Sequence, residues 1–390
     1  MQAKTAVKFD EATFARLKRT VKNMAVTDAK RAEDPYYATP VPEEVGIQLT
    51  HKCNLRCATC FQWNEEGFLQ QRDQKTQNDT IGIDLVARIL AATRAVRSGL
   101  YLWGGEPLCY PYWDQLAELL VNDPRWTVLC TNGTLLDRKI ESLLAISPAL
   151  AILVSLDGFE AENDLIRGRG TFRKVVENID LLLELKRKGL FKGEISLNCV
   201  ISEAMAGRLY EFMEFWEAKG VNTVYFCFPW YLPPETAARM DRYFGEKFDW
   251  LPERPAGQVP SWHSYQYHLD PGILPVLQAE IAKINRRIWK IRIRFQPALE
   301  LDEIDAFIRG KEIPAQNRKR CLGLANRMNV LPSGKVTVCK LFPEFTVGDL
   351  KTETLTALWH NEKFTRCRET IGRNLMPVCS KCVLLYLHGV

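Results

Sequence analysis

Leu49-Thr50-His51-Lys52-Cys53-Asn54-Leu55-Arg56-Cys57-Ala58-Thr59-Cys60-Phe61 carries three cysteines in the spacing C-x3-C-x2-C. Three thiolates can meet on one short loop of this kind. Four cysteines would close a structural zinc site or an iron–sulfur cluster. Three leave one metal corner without a protein ligand, where substrate chemistry can take place. The flanking sequence sets this loop in a fold. Residues 45–49 read as a strand that runs straight into it.

Further strand-like runs follow at 100–103, 126–130, 151–155, 194–201 and 223–228, separated by amphipathic stretches of helical period. Six strands with helices between them predict an α/β fold, a parallel sheet curved into a partial (β/α)6 TIM-like barrel with helices outside. In such sheets the functional residues gather at the carboxyl ends of the strands. The cysteine loop, Gly104-Gly105-Glu106-Pro107, Thr131-Asn132-Gly133 and Ser155-Leu156-Asp157-Gly158 all fall there.

The cysteine run resembles the signature of the radical SAM superfamily. The resemblance implies that Cys53, Cys57 and Cys60 each bind one iron of a [4Fe–4S] cluster and that S-adenosylmethionine chelates the fourth. One electron then splits the sulfonium, and the 5′-deoxyadenosyl radical takes hydrogen from an unactivated C–H. Gly104, Gly105, Glu106 and Pro107 are similar to the family's GGEP segment, which meets the cofactor's ammonium. Phe61 resembles the aromatic packed near the adenine; Ser155, Asp157 and Arg167 resemble its polar contacts to ribose and carboxylate, with Asn132 beside them. An external one-electron reductant of flavodoxin or ferredoxin type is implied as a partner.

Near the C-terminus, Cys321 and Cys339 bracket a hairpin pattern around Pro332-Ser333-Gly334, and Cys379 and Cys382 add a C-x2-C pair. This order, with a helix expected near 355–370 between Cys339 and the C-x2-C pair, resembles the SPASM module, or its shorter twitch form, and implies one auxiliary [4Fe–4S] cluster serving electron transfer. A four-thiolate zinc site has the same ligands. Arg318, Lys319 and Arg320 are expected to favour the reduced cluster by their charge.

The expected organisation is a basic helix (12–24) and linker over 1–42, the radical core over 43–230, an aromatic-rich bridging region over 231–315 and an α+β auxiliary-cluster domain over 316–390. Of the remaining cysteines, Cys130 and Cys199 read as core residues, Cys109 has no evident role and Cys367 sits on a helix. Cys227 ends the sixth strand; turned inward, it is a candidate catalytic hydrogen donor to a substrate radical.

Twelve cysteines without a signal-peptide pattern indicate a reducing, cytoplasmic compartment. No apolar run approaches the roughly 18 residues a membrane span needs. A net charge of +5 without a recognised nucleic-acid module speaks against nucleic acid. The expected activity is hydrogen abstraction from a peptide, with a dehydrogenase or epimerase of a sugar-like metabolite as the alternative. An iron–sulfur electron carrier or a zinc-stapled binding protein is the non-enzymatic reading.

Overall fold

Side chains alternate along each strand, as in Gly99-Leu100-Tyr101-Leu102-Trp103, where Leu100 and Leu102 are buried under the helices and Tyr101 and Trp103 turn to the opposite face of the sheet. The computed structural model describes residues 3–252 and 257–390; Met1, Gln2 and 253–256, which belong to the expected N-terminal and bridging segments, lie outside the described residues. Its sheet strands are β1 (Glu44–Gln48), β2 (Gly99–Trp103), β3 (Thr127–Thr131), β4 (Leu150–Ser155), β5 (Glu194–Val200), β6 (Thr223–Cys227), β7 (Arg292–Gln296), β8 (Arg327–Val330), β9 (Lys335–Thr337) and β10 (Thr346–Asp349). They pair in the order β10-β9-β8-β1-β2-β3-β4-β5-β6-β7.

All neighbours from β8 through β1 to β7 are parallel, while β8–β9 and β9–β10 are antiparallel. The principal helices are α1 (Glu11–Glu33), α2 (Ile83–Ala92), α3 (Trp113–Asn122), α4 (Ile140–Ile146), α5 (Glu160–Arg167), α6 (Thr171–Arg187) and α7 (Leu209–Lys219). From α2 onward they fill the crossovers between consecutive parallel strands, as parallel pairing requires.

Val45, Ile47, Leu102, Leu129, Val154 and Phe226 are fully buried on the helix side. Each such side chain contributes about 1.5–3 kcal/mol to folding. The opposite, inner face is polar. It carries Gln48, Trp103, Cys130, Ser155, Asn198, Cys227, Gln296, Arg327 and Asn329, which alternate with the apolar set. A parallel sheet buried on both sides by packing alone would read as continuously apolar. Here the alternation leaves the barrel interior lined for polar contact.

The expected hairpin around Pro332-Ser333-Gly334 is β8–β9, and it continues the sheet because β8 lies parallel to β1. The expected basic helix runs on past residue 24 to Glu33, because Thr27 and Arg31 are buried and Arg31 Nη2 donates to the Arg368 carbonyl at 3.1 Å. Residues 355–370 do not form one helix. Leu355–Trp359 ends, and Glu362–Arg373 restarts with the Asn361 side chain accepting the Phe364 N–H at 2.7 Å.

Candidate functional site: two sets of buried thiols

The cysteine loop leaves the end of β1 and is held from three sides. The Gly105 N–H donates to the Thr50 carbonyl and the Glu106 N–H to that of Lys52, both at 2.8 Å. A Cβ on Gly104 would stand 2.5 Å from Thr50 O, and one on Gly105 2.3 Å from the carbonyl oxygens of His51 and Lys52. The glycines are therefore required where the end of β2 presses against the cysteine loop. On the second side, the Asn132 amide donates to Asn54 Oδ1 at 2.8 Å. On the third, the Ala58 N–H donates to Ile166 O at 2.9 Å.

Glu106 is fully buried and accepts from the Leu108 N–H (2.9 Å), Thr131 Oγ1 (2.7 Å) and the Asn132 N–H (2.7 Å). Burial raises its pKa and these three donors oppose the rise. A carboxylate offers about four acceptor positions, so one remains for a further donor.

Asp157, also fully buried, accepts the Val200 N–H at 2.8 Å and pairs with Arg167 Nη2 at 2.8 Å. Burial raises the Asp157 pKa against the pull of Arg167. Burial alone would lower that of Arg167, but the charges of Asp157 and Cys57 outweigh it and raise it. Arg167 Nη1 also reaches Cys57 Sγ at 3.8 Å, while its Nε has no partner among the described residues. Asp157 and Arg167 thus hold each other beside the thiols. Ser155 lies half-buried at the end of β4 on the inner face, and Pro107 opens the short 3-10 turn after Glu106.

Phe61 stacks on Tyr265, with ring centroids 4.6 Å apart and planes 13° apart, and lies 6.2 Å from Trp230. Tyr265 of the bridging region and Trp230 at the end of the core therefore wall the cysteine loop. Tyr265 and Trp230 carried no sequence signal for this contact beyond the local density of aromatics. His263 pairs with Asp241 at 2.9 Å.

At the C-terminal side, Cys321, Cys339, Cys379 and Cys382 line one largely apolar cavity together with Arg327, Asn329 and Lys340. Arg320 does not turn to this cavity: it pairs with Asp28 of α1 at 2.7 Å, and Arg318 Nη1 donates to Gly389 O at 2.5 Å. The cations that line it are Arg327 and Lys340. Burial and the neighbouring Arg327 lower the Lys340 pKa to about 8.

Backbone N–H groups aim at several of these sulfurs. They come from Leu55 to Cys53 (3.4 Å), Gln62 and Trp63 to Cys60, Gly323 and Leu324 to Cys321, Leu341 and Phe342 to Cys339, and Leu384 and Leu385 to Cys382. Such bonds stabilise sulfur that carries charge. Burial, with mutual repulsion among the thiolates, pushes Cys53 to about 12, Cys57 to about 11 and Cys382 to about 11. Bound iron would replace those protons.

Among the described residues no three His, Cys, Asp or Glu side chains are gathered tightly enough for one metal ion. A four-iron cluster asks something different of its ligands, because each thiolate takes a separate iron. The donor chemistry of both sets, buried thiols met by backbone N–H groups, suits that demand.

The leftover cysteines behave differently. Cys227 lies on the inner face, where its thiol donates to Asn198 Oδ1 at 2.9 Å and to Gln296 Oε1 at 3.4 Å. Cys199 and Cys367 are fully buried, and Cys130 bonds to Tyr101.

The model of the radical SAM superfamily matches residues 47–213, and that of the SPASM iron–sulfur cluster-binding domain matches 321–383. The AdoMet-dependent heme synthase of Methanosarcina barkeri is 27% identical over 88% of this chain and 89% of its own length. The mycofactocin maturase of Mycolicibacterium smegmatis is 28% identical over 42% of this chain, and the alignment spans only 39% of that protein. The crystal structure of Streptococcus suis SuiB bound to S-adenosylmethionine superposes with a TM-score of 0.59 at 15% identity, covering 94% of this chain and 75% of that one. SuiB bound to its precursor peptide SuiA gives 0.57 at 17% identity, over 88% and 70% of the two chains. No helix of the described residues is long and apolar enough to cross a membrane. The chain belongs to the radical SAM superfamily, enzymes that use S-adenosylmethionine and a [4Fe–4S] cluster, and carries a C-terminal SPASM domain for auxiliary iron–sulfur clusters.

Proposed function

We propose that this enzyme abstracts hydrogen from an unactivated C–H of a peptide held inside the barrel, between two iron–sulfur sites. One observation carries the reading. Arg327 and Asn329, on the inner face of β8, also line the cavity shared by the four C-terminal thiols. The barrel interior therefore has the three-thiol loop at its carboxyl-end rim and the four-thiol cavity along its side.

Cys53, Cys57 and Cys60 are the ligands of the first cluster. Phe61, Gly104, Gly105, Glu106, Pro107, Asn132, Ser155, Asp157 and Arg167 form the pocket for S-adenosylmethionine. Cys321, Cys339, Cys379 and Cys382 hold a single auxiliary [4Fe–4S] cluster, saturated by protein and suited to passing electrons. When bound, the first cluster and its cofactor supply a 5′-deoxyadenosyl radical. The protein's part is to exclude water and fix the reacting C–H.

The aromatic wall of Phe61, Tyr265 and Trp230 supports the first task. For the second, Cys227 faces the interior, and burial keeps it a thiol, the form that can give up a hydrogen atom. Arg56 and Lys52, exposed on the cysteine loop, suit docking of an acidic one-electron carrier in a reducing cytoplasm.

The peptide reading draws on the maturase relative and on the likeness to a peptide-bound structure. A second reading, a small metabolite, is favoured by the alignment to the heme synthase, which runs nearly the full length of both chains. Anaerobic reconstitution tests the whole. About eight irons and reductive release of 5′-deoxyadenosine are expected; zinc alone, without cofactor cleavage, overturns it. Deuterium transfer into 5′-deoxyadenosine from a deuterated peptide pool, set against a deuterated metabolite extract, decides between the two substrates.

A further inference from the structure

Three side chains on one wall of the barrel interior, Gln48, Trp103 and Arg327, present buried hydrogen-bond donors that nothing among the described residues accepts, and the half-buried Lys340 stands beside them. Gln48 and Trp103 are register partners on β1 and β2, at the strand ends just below the cysteine loop and Gly104. Gln48 is 2% exposed, and its Nε2 has no acceptor; Trp103 Nε1 is likewise buried without one. Arg327, also 2% exposed, uses Nη1 on Glu44 and Nε on Asn329 Oδ1 at 3.2 Å, which leaves Nη2 unpartnered. That nitrogen lies over Gly46, 3.0 Å from where a Cβ would stand. Lys340 Nζ stands 3.9 Å from the Tyr101 ring centroid and 5.0 Å from that of Trp103, with no carboxylate within ion-pair distance among the described residues. The Arg327 guanidinium lies 5.3 Å from the same Tyr101 ring, so the four groups surround one wall.

Leaving a buried donor unpaired costs about 1–3 kcal/mol, more when it is charged. Three together, with the Lys340 ammonium beside them, mark a place built for an acceptor that arrives from outside. The charge balance narrows its identity. Glu44 answers Arg327 and has His388 Nε2 at 3.7 Å, so Lys340 is the cation of this wall that has no carboxylate partner among the described residues. We infer that this wall binds a monoanionic, acceptor-only group, and that the substrate carries a carboxylate seated between Lys340, Gln48, Trp103 and Arg327. The inference rests on the reading of the barrel interior as the substrate chamber, and it gives that substrate a chemical handle common to peptides and carboxylated metabolites. The reacting C–H would then be fixed by an anchor below the strand ends that bear the cofactor pocket.

The test uses the anaerobically reconstituted holoenzyme without reductant, with benzoate as probe and benzamide as its neutral isostere in equilibrium dialysis. A charged hydrogen bond gained by the acid over the amide predicts a preference of about tenfold. Lys340→Met and Gln48→Leu should each erase most of that preference, and Lys340→Arg should restore it, with iron content reporting intact assembly. Equal binding of acid and amide overturns the inference, as does tighter binding of inorganic phosphate than of benzoate. So does a Lys340→Met variant that shifts the auxiliary cluster's midpoint potential while keeping the preference, because the lysine would then answer the cluster. Formation of 5′-deoxyadenosine by the same preparation of the unaltered enzyme is scored separately: its absence refutes the radical reading and leaves the anion site to stand or fall on dialysis.

Discussion

The two thiol sets differ in more than their count. The first sits on a loop pinned by backbone contacts, beside buried carboxylates that already hold donors, with one arginine touching a sulfur. The second lines an apolar cavity with two cations at its edge. An incomplete ligand set surrounded by polar groups suits a cluster that binds a small charged cofactor. A complete set in apolar surroundings suits one that only exchanges electrons. On the proposed reading, chemistry and electron storage are separated across one barrel wall.

The sharpest way to break this division is to remove one thiol from each set. Cys57→Ala should leave about four irons and abolish 5′-deoxyadenosine formation under dithionite. Cys339→Ala should also lower iron by about four yet retain cleavage of the cofactor. Loss of cleavage in both variants would show that the two sites are one functional unit.

Next in size is the ion pair beside the first set. Asp157→Asn leaves the buried Arg167 charge without its partner, which costs about 3–5 kcal/mol in denaturant unfolding. An effect under about 1 kcal/mol, the level of an exposed pair, would mean that water reaches this pair.

Glycines give a smaller contrast. Gly105→Ala forces a methyl to 2.3 Å from two carbonyl oxygens and should cost about 1–3 kcal/mol, with weaker iron retention at the first loop. At Gly323 the same methyl meets Cys321 Sγ at 3.5 Å, an ordinary contact, so Gly323→Ala should stay within about 0.5 kcal/mol.

Much of this contrast is visible in the chain. The short apolar runs at 99–103 and 150–155 report the strands, because strand preference is local, whereas their alternating burial is seen only in the assembled sheet. Spacing reports the thiols for the same reason. What stays hidden are contacts made across long stretches of chain. Arg327 reaches Glu44 only because β8 docks on β1, 283 residues away in sequence. Lys340 follows Cys339 directly, and that adjacency was the one available hint that it borders the cavity. Gln48 and Trp103 look like ordinary inner-face strand residues until their register pairs them. Helix ends were misread where docking extends α1 and where Asn361 offers a competing cap within residues 355–370.

A last contrast comes from a second pair of cysteines, on neighbouring strands and opposite faces. Cys199 is fully buried on the helix side of β5, whereas Cys227 points inward from β6 to Asn198 and Gln296. Cys227→Ala removes one weak donor and should cost about 1 kcal/mol, near the net worth of a single hydrogen bond. Its chemical consequence is distinct from that loss. If the Cys227 thiol returns hydrogen to the substrate radical, one C–H bond forms as one S–H bond breaks, and the thiyl radical needs an electron and a proton to reset. Thiols exchange with solvent, so product made in heavy water should gain one deuteron with the native thiol and none in Cys227→Ala. Cys199→Ala, which alters only packing, should leave that label in place. A deuteron retained in Cys227→Ala would assign hydrogen return to another donor and leave Cys227 a polar wall residue.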